Sequence, residues 1–326
     1  LDDMTMDKSI KRIVGLDVGG TKTAVVLGDA EGRILSRKQF ATNPTRGFEK
    51  LFDDICEGVR STIESVDGPV SALSVSIGGP LDVLKGIIKS PPNLPGWDNI
   101  PLKKMLTEQF RLPVYIEHDG NAGALAEFYF GAGKGFRNVV FITMGTGFGA
   151  GFILDGRLYR GTSDVAGEIG HIRIAETGPL CYGKPGSLEG YGSGSGIAKL
   201  AQLMHPELWS NQVHVVELYE AYKAGSIEAK MVFERASLYL GRGLAIVVDF
   251  LNPQRVILGG LGMRLQDVLL APVLRVYAEE VLPEAGDVCE IVPAALGESI
   301  GDYAALCAAY DQGGLLVSAN QMFERV

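Results

Sequence analysis

The pattern of apolar and polar positions alternates between strand-like and helix-like stretches along the chain. Apolar runs rich in β-branched residues predict strands at 11–16, 23–27, 70–77, 113–116, 139–143, 149–154 and 255–258. Apolar residues at helical spacing predict helices at 45–66, 102–110 and 229–251. Strands that alternate with helices are typical of an α/β protein.

Two short glycine turns each join a pair of predicted strands. They are formed by Gly19 and Gly20, and by Gly145, Thr146 and Gly147. Glycine has no Cβ and can take a positive φ, so a backbone N–H in such a turn can approach a bulky anion closely. A plain hairpin explains one such turn equally well. Because each turn begins one half of the chain, as in a weak internal repeat, the pair favours phosphate binding on both sides of one nucleotide.

Two aspartates stand at the ends of predicted strands. Asp17 lies beside the first glycine turn, where its carboxylate can hold Mg²⁺ directly or through water. Asp119 follows strand 113–116 and precedes an alanine-rich helical stretch. An aspartate caps a helix well there, and it can also act as the base of phosphoryl transfer, which mainly requires a positioned carboxylate. We expect Asp119 to do both.

Further glycine and polar positions are open to two interpretations. The glycines Gly259, Gly260 and Gly262 follow strand 255–258 and either bind the edge of a nucleoside or simply form a tight turn into a helix. Four polar residues carry donors and acceptors that suit the hydroxyls of a polyol, namely Asn93 in a proline-rich loop, Glu168, His171 and Glu189. On spacing alone, solvated loops are the better explanation of these four.

The composition narrows the class of protein. The chain has 326 residues, of which 46% are hydrophobic and 21% charged, as expected of a globular protein with two domains. Its net charge of −9 argues against broad contact with nucleic acid or an anionic membrane. The four cysteines are scattered, as in reduced cytosolic proteins. The sequence shows neither a signal peptide nor an apolar run of membrane-spanning length, and the first strand begins by Arg12, so we expect a cytoplasmic protein without an appended domain.

Four segments together carry a resemblance to a known family. LDVGGTKT, HDGNAGALAE, MGTGFGAGFILDGRLYRG and GEIGH, spaced as they are here, resemble the ROK family (repressors, open reading frames and sugar kinases) of the actin-like ATPase superfamily. The resemblance implies an α/β, two-domain actin-like ATPase (ribonuclease H-like) fold with an interdomain cleft. It also implies a small N-terminal domain at 1–120, with the C-terminal helix near 301–312 packed back on it, a large domain at 121–300, and a homodimer.

The same resemblance implies roles for individual residues. Asp119 resembles the catalytic base that activates a sugar hydroxyl. The positions that resemble those binding ATP and Mg²⁺ are Asp17, Gly19, Gly20, Thr21, Lys22, Gly145, Thr146, Gly147, Gly259, Gly260 and Gly262, with Asp17 near the metal. The positions that resemble those binding the sugar are Gly79, Asn93, His118, Asp119, Glu168, His171 and Glu189.

Two features depart from the family pattern. His118 stands where the family usually has an asparagine that contacts a sugar hydroxyl, and a histidine there can change the sugar or its orientation. Family members also usually bind a structural zinc through the histidine of the GEIGH motif and three cysteines of a Cys-x-Cys-Gly-x-x-Gly-Cys-Leu-Glu run. Here the run counts as one residue short, and its single thiol, Cys181, does not complete a tetrahedral site with His171. We predict no zinc, and a loop held by packing and by Pro185.

The sequence therefore predicts an ATP-dependent hexose kinase. Its acceptor would be glucose or a related hexose such as fructose, mannose, allose or N-acetylmannosamine. One alternative is a sugar-responsive regulator of the repressor branch, which the acidic composition disfavours. The other is a sugar-binding protein without kinase activity, which the presence of Asp17, Asp119 and Thr146 disfavours.

Overall fold

The structure is a computed structural model that describes residues 11–210 and 213–317. Contacts within the chain divide the described residues into two compact units. Unit 1 consists of residues 11–122 and 299–317, and unit 2 of residues 123–210 and 213–298. Within these ranges, no helix combines the length and the apolar composition needed to cross a membrane.

Unit 1 contains a mixed five-stranded sheet. Its strands and helices are β1 (Arg12–Val18), β2 (Lys22–Asp29), β3 (Ile34–Ala41), α1 (Phe48–Glu64), β4 (Val70–Ile77), β5 (Leu81–Asp82), β6 (Ile87–Lys89), β7 (Asp98–Ile100), α2 (Leu102–Phe110), β8 (Val114–His118) and the start of α3 (Asp119–Phe130). The sheet has the order β3-β2-β1-β4-β8, with β1, β2 and β3 antiparallel and β1, β4 and β8 parallel. Its central strands are buried almost throughout, since parallel strands are covered on both faces.

Unit 2 repeats this arrangement. Its elements are β9 (Val139–Met144), β10 (Phe148–Leu154), β11 (Arg157–Tyr159), β12 (Leu180–Cys181), β13 (Lys184–Pro185), α4 (Glu189–Gly192), α5 (Gly194–Met204), α6 (Val215–Lys223), α7 (Ile227–Leu251), β14 (Arg255–Leu258), α8 (Leu261–Arg264), α9 (Gln266–Glu280), α10 (Pro283–Gly286) and β15 (Glu290–Pro293). The sheet has the order β11-β10-β9-β14-β15 with the same succession of antiparallel and parallel pairs. The internal repeat predicted from the sequence is confirmed.

The last helix, α11 (Ile300–Gly313), packs on the sheet of unit 1. A Cβ at Gly15 in β1 would lie 2.8 Å from the backbone of Ala305, so the helix approaches the strand closely only because position 15 is a glycine. The Tyr310 hydroxyl donates to the Asp29 carbonyl at 2.8 Å and fastens the helix to β2. The chain thus returns to unit 1 after completing unit 2.

Two local differences from the sequence predictions have simple causes. The predicted helix at 45–66 is a short 3₁₀ turn, Pro44–Arg46, followed by α1, because Gly47 between them has a φ of 85° that no helix residue adopts. A small sheet of β5, β6 and β7 surrounds the proline-rich loop at 90–97. Its strands have two or three residues each, which is too short for a period-two pattern to show.

Candidate active site

Three parallel strands of unit 1 end at the same edge of the sheet. In the register of the sheet, the last residue of β4 pairs with the last residues of both β1 and β8. Asp17 near the end of β1, Gly79 after β4 and Asp119 after β8 are thereby brought together, although they lie far apart in the sequence. The carboxyl ends of parallel strands are where α/β proteins bind their ligands.

The first glycine turn, between β1 and β2, is closed by a hydrogen bond from the Gly19 N–H to the Lys22 carbonyl at 3.1 Å. Gly19 and Gly20 do not adopt the positive φ that glycine can take. The missing side chain is what matters, because a Cβ at Gly20 would lie 2.8 Å from the Cβ of Asn93. The structure therefore brings Asn93 against this turn, while Thr21 and Lys22 are exposed.

Asp17 lies against the first turn of α11. A Cβ at Gly301 would be 2.6 Å from Asp17 Oδ2, so a side chain at position 301 would displace the carboxylate. The next residue, Asp302, pairs with Arg37 at 2.6 Å. No local pattern pointed to Gly301 or Asp302, because their neighbour Asp17 is almost the whole chain away.

Two further carboxylates, Asp119 and Asp302, lie near Asp17 and give this part of unit 1 a concentration of negative charge. Burial, and next the negative charges of Asp119 and Asp302, raise the pKa of the Asp17 carboxyl to about 7, against the opposing effect of Lys22 and Arg37. Mg²⁺ prefers carboxylate oxygens, and a cation would relieve the repulsion among these groups. No three acidic, His or Cys side chains of the described residues are grouped closely enough to ligate a metal together. Asp17 therefore fits a magnesium ion that is held by one or two carboxylates and keeps several water ligands.

Asp119 and His118 form the junction of β8 and α3. The Asp119 side chain is 56% exposed, and its Oδ1 accepts a hydrogen bond from the Gly120 N–H at 2.7 Å. His118 Nδ1 lies 3.3 Å from the same oxygen. A Cβ at Gly79 would lie 2.8 Å from His118 Cδ2, and one at Gly78 would lie 3.6 Å from Asp119 Oδ2. The structure places Asp119 in the first turn of α3 rather than at the cap position before it.

A buried carboxylate supports this junction. Glu117 is fully buried and accepts hydrogen bonds from the His118 N–H at 3.1 Å, Asn121 Nδ2 at 3.0 Å and Gln312 Nε2 at 3.3 Å. Burying a charged group without such partners would be costly. We missed Glu117 and Asn121 in the sequence, where an acidic residue inside an apolar strand was the available signal.

The second glycine turn, between β9 and β10, is exposed, and residues at the start of α5 donate hydrogen bonds to its carbonyls. The Gly145 N–H donates to the Gly147 carbonyl at 3.0 Å. At the start of α5, the Gly194 N–H donates to the Gly145 carbonyl at 2.8 Å and the Ser195 hydroxyl donates to the Thr146 carbonyl at 2.7 Å. A Cβ at Gly145 would meet nothing within 4 Å, so the backbone there is open to a ligand. Ser195, in the segment GSGSG, also escaped the sequence analysis.

The third glycine turn, between β14 and α8, is tightly packed. Gly260 has a φ of 58°, and a Cβ there would lie 2.2 Å from the Met144 carbonyl oxygen. A Cβ at Gly259 would lie 2.7 Å from the ring of Phe141, and one at Gly262 would lie 2.7 Å from Leu258 Cβ. Packing within unit 2 explains all three glycines, so a nucleoside-binding role for them remains a prediction.

The polar residues predicted to bind a sugar in unit 2 lie around the loop 180–189. Glu189 Oε2 accepts hydrogen bonds from the Phe148 N–H at 3.1 Å and from the Tyr182 hydroxyl at 2.9 Å. The His171 ring meets the ring of Tyr182 edge to face at 4.9 Å between centroids. His171 and Glu168 are exposed and lie at the two ends of one short turn, in which the His171 N–H donates to the Glu168 carbonyl at 3.1 Å.

The run that corresponds to the zinc loop is complete in length. Counted back from Leu188 and Glu189, it contains all ten positions of the pattern, so the sequence count of one missing residue was wrong. Leu180, Tyr182 and Ser187 stand where the pattern has cysteine. Among the residues described, no three His, Cys, Asp or Glu side chains are grouped as metal ligands would be.

Comparison with known proteins gives two kinds of relative. The glucokinase of Halalkalibacterium halodurans is 32% identical over 303 residues, which span 88% of this chain and 92% of that protein. The xylose repressor of Bacillus spizizenii is 29% identical over 300 residues, which span 91% of this chain and 76% of the repressor. The chain is thus similar along most of its length to an enzyme and to a regulator.

Solved structures agree with the fold. A ROK hexokinase from Thermus thermophilus superposes with a TM-score of 0.82 at 31% identity, over 93% of this chain and 99% of that one. A ROK family glucokinase from Streptomyces griseus in complex with glucose and AMPPNP superposes with a TM-score of 0.75 at 32% identity, over 93% of this chain and 100% of that one. The predicted α/β fold of the actin-like ATPase type is confirmed. Residues 13–310 match the sequence pattern that describes the ROK family, and this chain therefore belongs to the ROK family.

Proposed function

We propose that this protein is an ATP-dependent hexose kinase that transfers the γ-phosphoryl group of ATP to a hydroxyl of glucose or a related hexose. One observation carries the proposal. An exposed carboxylate, Asp119, stands at the edge of the unit 1 sheet beside Asp17 and the first glycine turn, in a chain similar to glucokinases and to a glucokinase solved with glucose and AMPPNP. The similarity to glucokinases and to a ROK hexokinase supports sugar kinase activity for this protein.

The residues of unit 1 supply the base and the charged part of the machinery. Asp119 accepts a hydrogen bond from the attacking sugar hydroxyl and takes its proton as the new P–O bond forms and the bond to ADP breaks. Asp17 would hold Mg²⁺, directly or through water, with Asp302 nearby, and the ion when bound supplies positive charge to the phosphate oxygens. His118 and Asn93 would bind hydroxyls of the sugar, and Gly79 leaves room for His118.

The residues of unit 2 supply uncharged hydrogen-bond donors to the phosphates of ATP and further side chains that bind the sugar. The N–H groups of Thr146 and Gly147 would receive the phosphates. The Gly145 N–H already donates to the Gly147 carbonyl, and Gly145 contributes the open space beside the turn. Glu168, His171 and Glu189 would bind sugar hydroxyls. We propose in addition that the two units are the two domains, that the protein is a cytoplasmic homodimer, and that it has no nucleic acid partner.

A sugar-responsive regulator is the second candidate, because the xylose repressor of Bacillus spizizenii matches almost the whole chain. A regulator needs no base and no metal site, whereas Asp119 and the carboxylates around Asp17 provide both. Specific DNA binding whose affinity falls steeply with salt concentration would favour the regulator.

The experiment is an assay of ADP release with ATP and Mg²⁺ over a panel of hexoses and N-acetylhexosamines. We expect turnover that depends on one sugar, and a kcat lower by about 10²- to 10⁴-fold in Asp119→Asn, because the amide has the same shape but cannot take the proton. Asp67→Asn, an exposed aspartate of unit 1, is the control and should keep the wild-type rate. Sugars that bind without stimulating turnover would instead show a binding protein.

A further inference from the structure

Tyr182 occupies an unusual backbone position at the edge of the predicted sugar site. β12 and β13 pair as a hairpin whose two turn residues are Tyr182, with a φ of 53°, and Gly183, with a φ of 71°. Turns of this kind favour asparagine, aspartate or glycine, and the left-handed region is costly for a bulky aromatic residue. We therefore expect contacts of the Tyr182 side chain to offset the cost of this backbone conformation.

The hydroxyl of Tyr182 contacts a residue proposed to bind the sugar. It donates to Glu189 Oε2 at 2.9 Å, and the Phe148 N–H donates to the same oxygen at 3.1 Å. Two donors from different directions fix the rotation of a carboxylate that would otherwise turn freely. The Cys181 thiol is also close enough for a hydrogen bond to the Glu189 carboxylate. A carboxylate oriented in this way is an acceptor for a sugar hydroxyl.

The ring of Tyr182 contacts a second such residue. It meets the imidazole of His171 edge to face, with 4.9 Å between the ring centroids and 68° between the planes. The negative charge of Glu168 is close enough to contribute to the raised pKa of the Tyr182 phenol, after burial and Glu189. Tyr182 therefore lies near Glu189, His171 and Glu168, the three residues of unit 2 that would bind a sugar.

We propose that Tyr182 is a positioning residue that fixes Glu189 and His171 for binding of the hexose. The proposal rests on the proposed function, because it gives a role to the same sugar site. Tyr182 is 51% exposed, and it acts through its two neighbours rather than on the reacting atoms. From its place in the hairpin turn, the Tyr182 side chain contacts both Glu189 and His171 and fixes their positions relative to each other.

Kinetics of Tyr182→Phe test the hydroxyl alone, because phenylalanine keeps the ring against His171. We expect the KM for the hexose to rise about 3- to 10-fold, with the KM for ATP and the kcat within about twofold, since a hydrogen bond to a charged group is lost only at the sugar side. Tyr182→Leu removes the ring as well and should raise the hexose KM further. Tyr159→Phe is the control, because Tyr159 is a tyrosine of unit 2 with the similar exposure of 50%.

A double-mutant cycle decides whether Tyr182 acts through Glu189. In Glu189→Gln, which weakens the accepting oxygen, the further change Tyr182→Phe should have little additional effect on the hexose KM. Fully additive effects, or a Tyr182→Phe enzyme with the wild-type hexose KM, would overturn the proposal.

A spectroscopic measurement separates this proposal from the proposed function. With the 11 tyrosines labelled at ¹³Cζ, the resonance absent from Tyr182→Phe should be the one that Glu189→Gln shifts most in the free protein. No such shift would mean that the hydrogen bond is not made, and the proposal would fail even in an active kinase. If wild-type protein shows no turnover, calorimetry with the same hexoses decides, and absence of hexose binding would overturn both proposals.

Discussion

The glycine turn of unit 1 and that of unit 2 each join the first two strands of a five-stranded sheet, and the two sheets share one strand order. In unit 1 the space beside Gly20 is filled by Asn93, and the carboxylate of Asp17 stands two residues before the turn. In unit 2 the space beside Gly145 is open, the equivalent residue before the turn is Thr143, and the turn carbonyls are held by α5.

The difference shows how one backbone arrangement carries two kinds of chemistry. The turn of unit 1 is combined with negative charge, which suits a metal ion and a proton acceptor. The turn of unit 2 presents neutral N–H groups to an open space, which suits the phosphate oxygens themselves. Substitutions that act on one turn and not on the other therefore test this division.

Among substitutions at the two turns, the largest effect is expected from Asp17→Asn. Because the carboxylate would hold Mg²⁺ and the amide binds it poorly, kcat/KM should fall by about 10²- to 10³-fold. Steady-state kinetics across a range of Mg²⁺ concentrations measure this fall, and the loss should become smaller at high Mg²⁺. An activity that does not depend on residue 17 would remove Asp17 from the site.

The same substitution should stabilise the protein when EDTA removes divalent metal. Since the Asp17 pKa is about 7 in the folded state and 3.8 as its ordinary value, ionisation favours the unfolded chain, and stability is lost as the pH rises from about 4 to 7. The neutral amide of the variant has no such loss. The gain from the substitution should therefore be larger at pH 8 than at pH 5, by about 2 kcal/mol in urea unfolding. An equal gain at both pH values would contradict the raised pKa.

A pair of alanine substitutions separates packing from ligand binding. Gly20→Ala must move Asn93, and we expect it to lower the free energy of unfolding by about 1–3 kcal/mol. Gly145→Ala meets no neighbour and should leave the free energy of unfolding within about 0.5 kcal/mol, yet raise the KM for ATP about tenfold because the methyl group occupies the ligand's space. An unchanged KM for ATP in Gly145→Ala would mean that no phosphate approaches this turn.

The smallest effect is expected at the start of α5. Ser195→Ala removes the hydrogen bond to the Thr146 carbonyl and should raise the KM for ATP by about two- to fivefold with little change in stability. Ser193→Ala removes the helix cap to the Gly196 N–H instead, and it should cost about 1 kcal/mol of stability with an unchanged KM. Identical behaviour of the two variants would refute a specific role for Ser195.

Most of the fold could be predicted because its signals are local. The buried strands are rich in apolar residues, as in the run of β9, and long helices such as α7 show their spacing over many residues. The repeat could be predicted because each hairpin has its own glycine turn. The short strands β5 to β7 could not, since two or three residues show no periodicity.

The candidate site could be predicted only in part, because several of its contacts join distant segments. Asp302 is brought near Asp17 by α11, and no sequence pattern indicated the contacts of Tyr182 with Glu189 and His171. The reason given for the glycines was also incomplete. At Gly20 the sequence analysis related the missing Cβ to the approach of an anion, whereas in the structure the missing Cβ also leaves room for Asn93.

Phosphorus NMR of the reaction mixture tests the central claim most directly. Wild-type protein with ATP, Mg²⁺ and the stimulating hexose should yield ADP and a sugar phosphate ester in equal amounts, while Asp119→Asn should yield at most about 1% of either in the same time. ADP with inorganic phosphate and no ester, or an equal yield of ester from Asp119→Asn, would contradict the account of phosphoryl transfer to a sugar hydroxyl with Asp119 as the base.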